Sequence, residues 1–352
     1  MIPSFARPRP SLIVLACLLS ALSPSRAASL VVNTTLLQRS GDAVLVTWSD
    51  VQPSPSDNIT VTANNLTILQ MSATACPTWQ QGRGSLAVRL VDIYAPLTIT
   101  YTTPLGMLAA SPPITFSDPN QPLFPRLSLL GDPANTLVLT WTAAQFTSNE
   151  RVLLRPAGCT TCNFTTFSLL PDGKGAVTYS VKDMCGGVAK TTGWFEPGWQ
   201  LSAALPGLDP SSDYDYLFGT PDSMSQVMRL STPPAAASAA SKVTVYLFGD
   251  MGVAAAPPNG FPASLSTVQS IRDAAANATD GEYSMVMHIG DVSYAMGYQF
   301  YWPLFLDQIQ PLASRSLYQL SIGTHSLPQL PHALSCPPPT NPPPPPSCRR
   351  QP

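Results

Sequence analysis

Val243-Thr-Val-Tyr-Leu-Phe-Gly-Asp250-Met-Gly252 and Ser284-Met-Val-Met-His-Ile-Gly-Asp291-Val-Ser-Tyr294 decide the reading of this chain. Each is a short apolar run that ends in Gly-Asp. A strand of a parallel sheet, buried on both faces, reads as a continuous apolar run. In open α/β sheets, ligands bind beyond the carboxyl ends of the strands. A glycine there lets the backbone turn sharply, and the aspartate places a carboxylate on the rim of the sheet. An aspartate can also cap a following helix, and that suffices for one Gly-Asp alone. Two on successive strands, the second with Tyr294 three residues on, point to a site for a hard metal ion.

The flanking periodicity supplies the rest of the layer. Leu265, Val268, Ile271 and Ala275 are spaced for one helical face. Trp302, Phe305, Leu306 and Ile309 outline a second helix that ends near Pro311, and Leu317–Ile322 reads as a third strand. The order βαβαβ predicts a parallel sheet with right-handed crossovers. Asp250, Asp291 and His325 all follow strand ends, so they are expected on one rim. From residue 326 the pattern collapses into a segment with eleven prolines, expected to be extended or disordered. A half-covered parallel sheet is an abrupt place for such a change, so residues 242–325 read as a partial α/β layer whose C-terminal part is missing.

Upstream, the period is two. Ala43–Trp48, Leu86–Tyr94 and Leu97–Tyr101 alternate like strands between Asp, Asn, Pro and Ser clusters, and Asn135–Trp141 begins a second such region. Short strands at this spacing suggest β-sandwiches, with Trp48 and Trp141 as core anchors. Asp118–Pro122 reads as a hinge and residues 232–241 as a linker. The expected layout is a sandwich over 29–118, a second β module over 119–231, the linker, the α/β layer over 242–325 and a Pro-rich tail over 326–352. Asp213 and Asp215 read as the solvent-facing side of an edge strand, not as a paired-carboxylate site.

Composition limits the function. The 352 residues are 11% charged with a net charge of −2, which gives no basic face for nucleic acid and no strong steering field. Arg7 and Arg9, the apolar run Leu12–Leu22 and Ser25-Arg26-Ala27 have the form of a secretory signal over 1–28. No later run is long enough to span a membrane. Export to the extracellular space, a vacuole or the cell wall is therefore expected, and five Asn-x-Ser/Thr sequons, at Asn33, Asn58, Asn65, Asn163 and Asn277, agree with it. Cys76, Cys159, Cys162 and Cys185 allow three pairings. Cys159-Thr-Thr-Cys162 is half of a zinc-ribbon spacing without its second half, and a disulfide at Cys185 is one expectation.

Gly249-Asp250-Met251-Gly252 and Gly290-Asp291-Val292-Ser293-Tyr294 resemble the GDxG and GDxxY motifs of the purple acid phosphatases, within the metallophosphoesterase superfamily. Gly323-Thr324-His325-Ser326 is similar to that family's third motif, GNH(E/D), with Thr324 in the place of asparagine. Asp183–Trp199 resembles the family's non-catalytic β domain. The resemblance implies two fibronectin type III-like sandwiches before the catalytic layer. It also implies a secreted hydrolase of phosphomonoesters with a dinuclear site of Fe(III) and a divalent Zn, Mn or Fe. Carried over, Asp250 binds the first metal, Asp291 bridges both, Tyr294 binds the ferric ion as phenolate, Thr324 stands at a ligand position of the second metal, and His325 is the catalytic histidine beside it. The family's further coordinating histidines have few counterparts: the only other histidines are His288, which reads as a core residue, and His332 in the Pro-rich segment. The expectation is therefore a chain of this family with impaired or absent activity. The alternative is a non-enzymatic secreted β-sandwich protein that binds a partner or a glycan. A cytosolic phosphodiesterase with the same GDxG motif is disfavoured by the signal and by Tyr294.

Overall fold

A strict buried–exposed alternation builds the N-terminal sheets. In Ala43–Ser49, Val44, Val46 and Trp48 are buried while Ala43, Leu45 and Thr47 face outward. The computed structural model describes residues 27–130, 136–235, 242–254, 261–277, 282–321 and 323. The expected signal over 1–26, most of the expected linker, Thr324, His325 and residues 326–352 lie outside the described residues.

Ala43–Ser49 lies between Ser29–Val32 and Gly84–Arg89 in one antiparallel sheet, and Leu66–Ser72, Asn58–Ala63, Thr98–Thr103 and Gly106–Ala110 form another. Trp48 from the first meets Tyr101 from the second at 5.8 Å between rings. The next two sheets repeat this plan. Leu123–Leu129, Thr136–Ala143, Trp199–Pro206 and Ala176–Val177 make one; Thr165–Ser168, Arg151–Pro156, Asp213–Thr220 and Ser223–Met224 make the other. Trp141 meets Phe218 between them at 5.6 Å. Both tryptophans are almost fully buried, and each closes the space between two inner faces, as sandwich packing demands.

Two expectations change here, for Asp213–Thr220 and for Leu265. Asp213–Thr220 is an interior strand: Arg151–Pro156 pairs with it on one side, and Met228–Ser231 with Ser223–Met224 on the other. Asp215 is accordingly buried, accepts from the Gly158 N–H at 3.1 Å and pairs with Arg229 at 3.1 Å. The disulfide that the structure shows joins Cys159 to Cys162, one of the bonds that the sequence left open; the turn after Arg151–Pro156 brings them within reach. Leu265 is 56% exposed, and the core face of its helix is carried by Ser264, Val268 and Ile271 instead.

The last layer is a parallel sheet in the order Val243–Phe248, Tyr283–Ile289, Tyr318–Ser321. Helix α1 (Ala263–Ala276) and helix α2 (Tyr301–Ala313) make the crossovers. Strand order follows chain order, and crossovers of one hand then put both helices on one face. Tyr246, Phe248, Val286 and Tyr318 pack there against Val268, Ile271, Phe305 and Ile309. Helix α2 continues through Pro311; burial of Phe305, Ile309 and Leu312 outweighs one lost hydrogen bond in its last turn. Leu304 and Leu306 pack on Val91 and Phe124, and Tyr216 donates to the Ser314 carbonyl at 2.7 Å, so both β regions brace α2.

Candidate metal centre

The ends of the first two parallel strands are laced together by main chain. Asp250 N–H reaches Gly290 O at 3.4 Å, and Gly252 N–H donates to Val292 O at 2.9 Å. Residue 323, beyond the third strand, closes in from the far side. A side chain at Gly323 would run into the backbone and carboxylate of Asp291, so only glycine allows this approach. The lacing forces unusual backbone. Asp250, Asp291, Tyr294 and Met296 all have positive φ, four of the eleven such non-glycine residues among those described. Left-handed backbone costs a side-chain-bearing residue roughly 1–2 kcal/mol, and such strain gathers at functional sites.

The geometry brings Asp250, Asp291 and Tyr294 together. The Tyr294 hydroxyl donates to Asp250 Oδ1 at 2.7 Å and lies 3.5 Å from Asp291 Oδ2. Its ring packs on Phe261 at 5.0 Å. Burial, then the hydrogen bond to Asp250 and the two carboxylate charges, hold this phenol far above the ordinary tyrosine range. Thr324 and His325 are outside the described residues, so their position relative to the three is not given.

His288 takes the core role. It is fully buried between Phe248 and Phe305, with Nδ1 3.2 Å from the Tyr318 hydroxyl. Burial pulls it down to about 4, against smaller opposing pulls from the Asp291 backbone and the Asp250 charge, so it stays neutral beneath the aspartate loops. One supporting residue had no sequence signal beyond a lone amide on an apolar helix face. Gln308 of α2 donates to Gly252 O at 3.0 Å and accepts from Ala254 N–H at 2.9 Å and from Ser264 Oγ at 3.2 Å. It pins the loop that follows Asp250.

Two carboxylates and a phenol are hard oxygen donors, the type that hard cations take. Among the described residues no group of three or more His, Cys, Asp or Glu assembles. The described donors therefore fit one cation and do not by themselves furnish a second shell. Among the same residues no helix is long and apolar enough to cross a membrane.

No family model matches the chain. The protein named probable inactive purple acid phosphatase 1 of Arabidopsis thaliana is 33% identical over 260 residues, covering 69% of this chain and 40% of that protein. Probable inactive purple acid phosphatase 9 of the same plant is 28% identical over 326 residues, 85% of this chain and 49% of its own length. A purple acid phosphatase from seeds of yellow lupin (Lupinus luteus) superposes with a TM-score of 0.71 at 25% identity, over 85% of this chain and 57% of that one. The chain thus spans less than half the length of these two curated relatives. With the relatives, the lupin fold and the two intact Gly-Asp motifs in agreement, the chain belongs to the purple acid phosphatases.

Proposed function

We propose that the chain is a secreted, glycosylated purple acid phosphatase whose first metal position is built from Asp250, Asp291 and Tyr294. Its layout would be two fibronectin type III-like sandwiches followed by the α/β layer. The observation that carries this reading is the convergence of both carboxylates on one phenol oxygen. Fe(III) suits the phenol and carboxylates, and a divalent Zn, Mn or Fe is the proposed second ion, with Thr324 at its shell and His325 beside the substrate. Such a pair, when bound, supplies electrophilic activation of a phosphoryl oxygen and a nucleophile at acidic pH. This chain's own part would be to hold the ions: the Tyr294 hydroxyl stands between the two carboxylates, Gln308 fixes the loop of Asp250, and His288 props the loop of Asp291 from below.

Thr324 replaces an amide oxygen with a poorer hydroxyl ligand, and the 352 residues contain three histidines, one of them in the core. The names of the two Arabidopsis relatives, each a probable inactive enzyme, support the same reading. A protein of these residues should bind metal at the first position and turn over phosphomonoesters poorly or not at all. The test is metal content after loading with ferric iron, zinc or manganese. Near one equivalent in the wild type and loss in both Asp250→Ala and Tyr294→Phe supports the site; equal retention in both variants overturns it.

A further inference from the structure

The segment that follows the Ala176–Val177 strand lies on the loop that carries Tyr294. Gly193 O accepts from Gln299 N–H at 2.8 Å. The Tyr179 hydroxyl donates to Gln299 Oε1 at 2.8 Å. Phe195 meets Phe300 edge-on at 5.9 Å, both buried. A Cβ at Gly193 would stand 2.5 Å from Gly297 O and 2.6 Å from Val188 Cγ1, so no side chain fits there. The segment is itself stiff: Gly193 N–H and Thr191 N–H both donate to Val188 O, at 2.9 and 3.0 Å, and a capping box joins Ser180 and Asp183 at its start.

The loop beneath needs such support. Tyr294, Met296 and Gly297 have φ of +51°, +49° and +87°. Residues in sparsely populated backbone regions persist only where their surroundings over-determine them. The loop's own layer holds it by Gly252 N–H to Val292 O at 2.9 Å, by Tyr298 N–H to Ala295 O at 2.8 Å and by the Tyr294 ring on Phe261. The second β region adds the contacts of Gly193, Tyr179 and Phe195.

We infer that residues 179–195 of the second β region are a clamp that fixes the Tyr294 loop, with Gly193, Tyr179 and Gln299 as positioning residues for the phenol donor. The inference rests on the metal-site reading for its consequence but not for its geometry. It gives the Asp183–Trp199 stretch a role: a non-catalytic β region sets the aim of a ligand more than a hundred residues away in sequence.

The experiment is hydrogen exchange of residues 293–300 together with ferric titration followed by phenolate-to-iron absorption, on the full chain and its Gly193→Val, Tyr179→Phe and Tyr294→Phe variants. Gly193→Val should speed exchange in this loop at least tenfold while exchange in the Thr136–Ala143 and Trp199–Pro206 strands stays as in wild type, and should abolish or shift the absorption. Tyr179→Phe, which keeps the ring and removes only the hydroxyl, should speed exchange by a smaller factor and weaken ferric binding. Tyr294→Phe should lose the absorption with the loop still protected. Unchanged loop exchange in both Gly193→Val and Tyr179→Phe overturns the clamp. Should Gly193→Val not fold, Tyr179→Phe alone decides it. A wild type without absorption removes the metal-site reading, and loop exchange still decides the clamp.

Discussion

Arg89, in the first β region, and Asp307, in helix α2, meet in a two-bond ion pair at 2.6 and 2.9 Å. They are 218 residues apart in sequence, and the contact ties the N-terminal sheets to the helix that follows the Tyr294 loop. The arginine is 56% exposed and the aspartate 15%. Solvent therefore screens one side of the pair, and exposed pairs contribute about 0.2–1 kcal/mol. A double-mutant cycle of Arg89→Ala and Asp307→Ala should give a coupling inside that range, falling as salt rises. Coupling above roughly 2 kcal/mol would mean that the pair is far better shielded than its exposure indicates.

Glu150 makes stability depend on pH in an unusual direction. It is 6% exposed, and burial pushes its carboxyl from 4.5 up to about 7, against a smaller pull from Trp141. Asp92 is pushed to about 6, first by burial and then by the charge of Asp118, against the Tyr94 N–H. In both cases the native state holds the proton more tightly than the unfolded chain. The stability is fully present below the unfolded values and falls as pH rises to the folded ones. For Glu150 the window is about 4.5 to 7, and the effect is on the order of 3 kcal/mol. Urea unfolding should give greater stability at pH 5 than at pH 8, and Glu150→Gln should flatten most of that slope. A slope of the opposite sign would refute the account.

The α/β layer was legible because its signals are local. Gly-Asp after an apolar run marks both strand ends, and the structure has strands at Val243–Phe248 and Tyr283–Ile289. Bringing Asp250, Asp291 and Tyr294 to one place needs only the sheet topology. What failed was non-local. Asp213–Thr220 looks like an edge strand until Met228–Ser231 is seen beside it. Leu265 misled because its α1 neighbour Ser264 is the residue that turns inward and bonds Gln308. The clamp on the Tyr294 loop rests on Gly193, and one glycine in a glycine-rich stretch carries no mark of what lies against it.

The face of the parallel sheet away from α1 and α2 carries Val243, Val245, Leu247, Met287 and Ile289, all exposed, with Leu247 at 61%. Part of the same face is covered where Tyr283 and Met285 pack on the second β region. Exposed apolar patches of this kind drive association. Val245→Lys with Leu247→Glu should raise the concentration at which the protein stays monodisperse by light scattering. Because both side chains already face solvent, the thermal midpoint should change little. A large drop in the midpoint would show that these positions are covered in the folded protein.

Hydrolysis by a protein of these 352 residues should be at or near background. In the proposed site the first position would have three oxygen donors, but activation of a nucleophile at acidic pH relies on a well-formed coordination shell around each ion. A second ion would have Thr324 where the family resemblance places an amide, and His288 could not serve it. That histidine is buried among Phe248, Phe305 and Tyr318, and releasing it would open the core under both aspartate loops. The assay is a chromogenic phosphomonoester between pH 4 and 7 with iron, zinc and manganese supplied. Ordinary enzymes reach about 1–10³ s⁻¹; this protein should fall orders of magnitude below. Thr324→Asn should strengthen binding of a second divalent ion more than it raises turnover in a protein of these 352 residues, whose three histidines include one in the core. Turnover in the ordinary range that disappears in Asp291→Asn would show that the described donors, with whatever residues 324–352 add, already make a working centre.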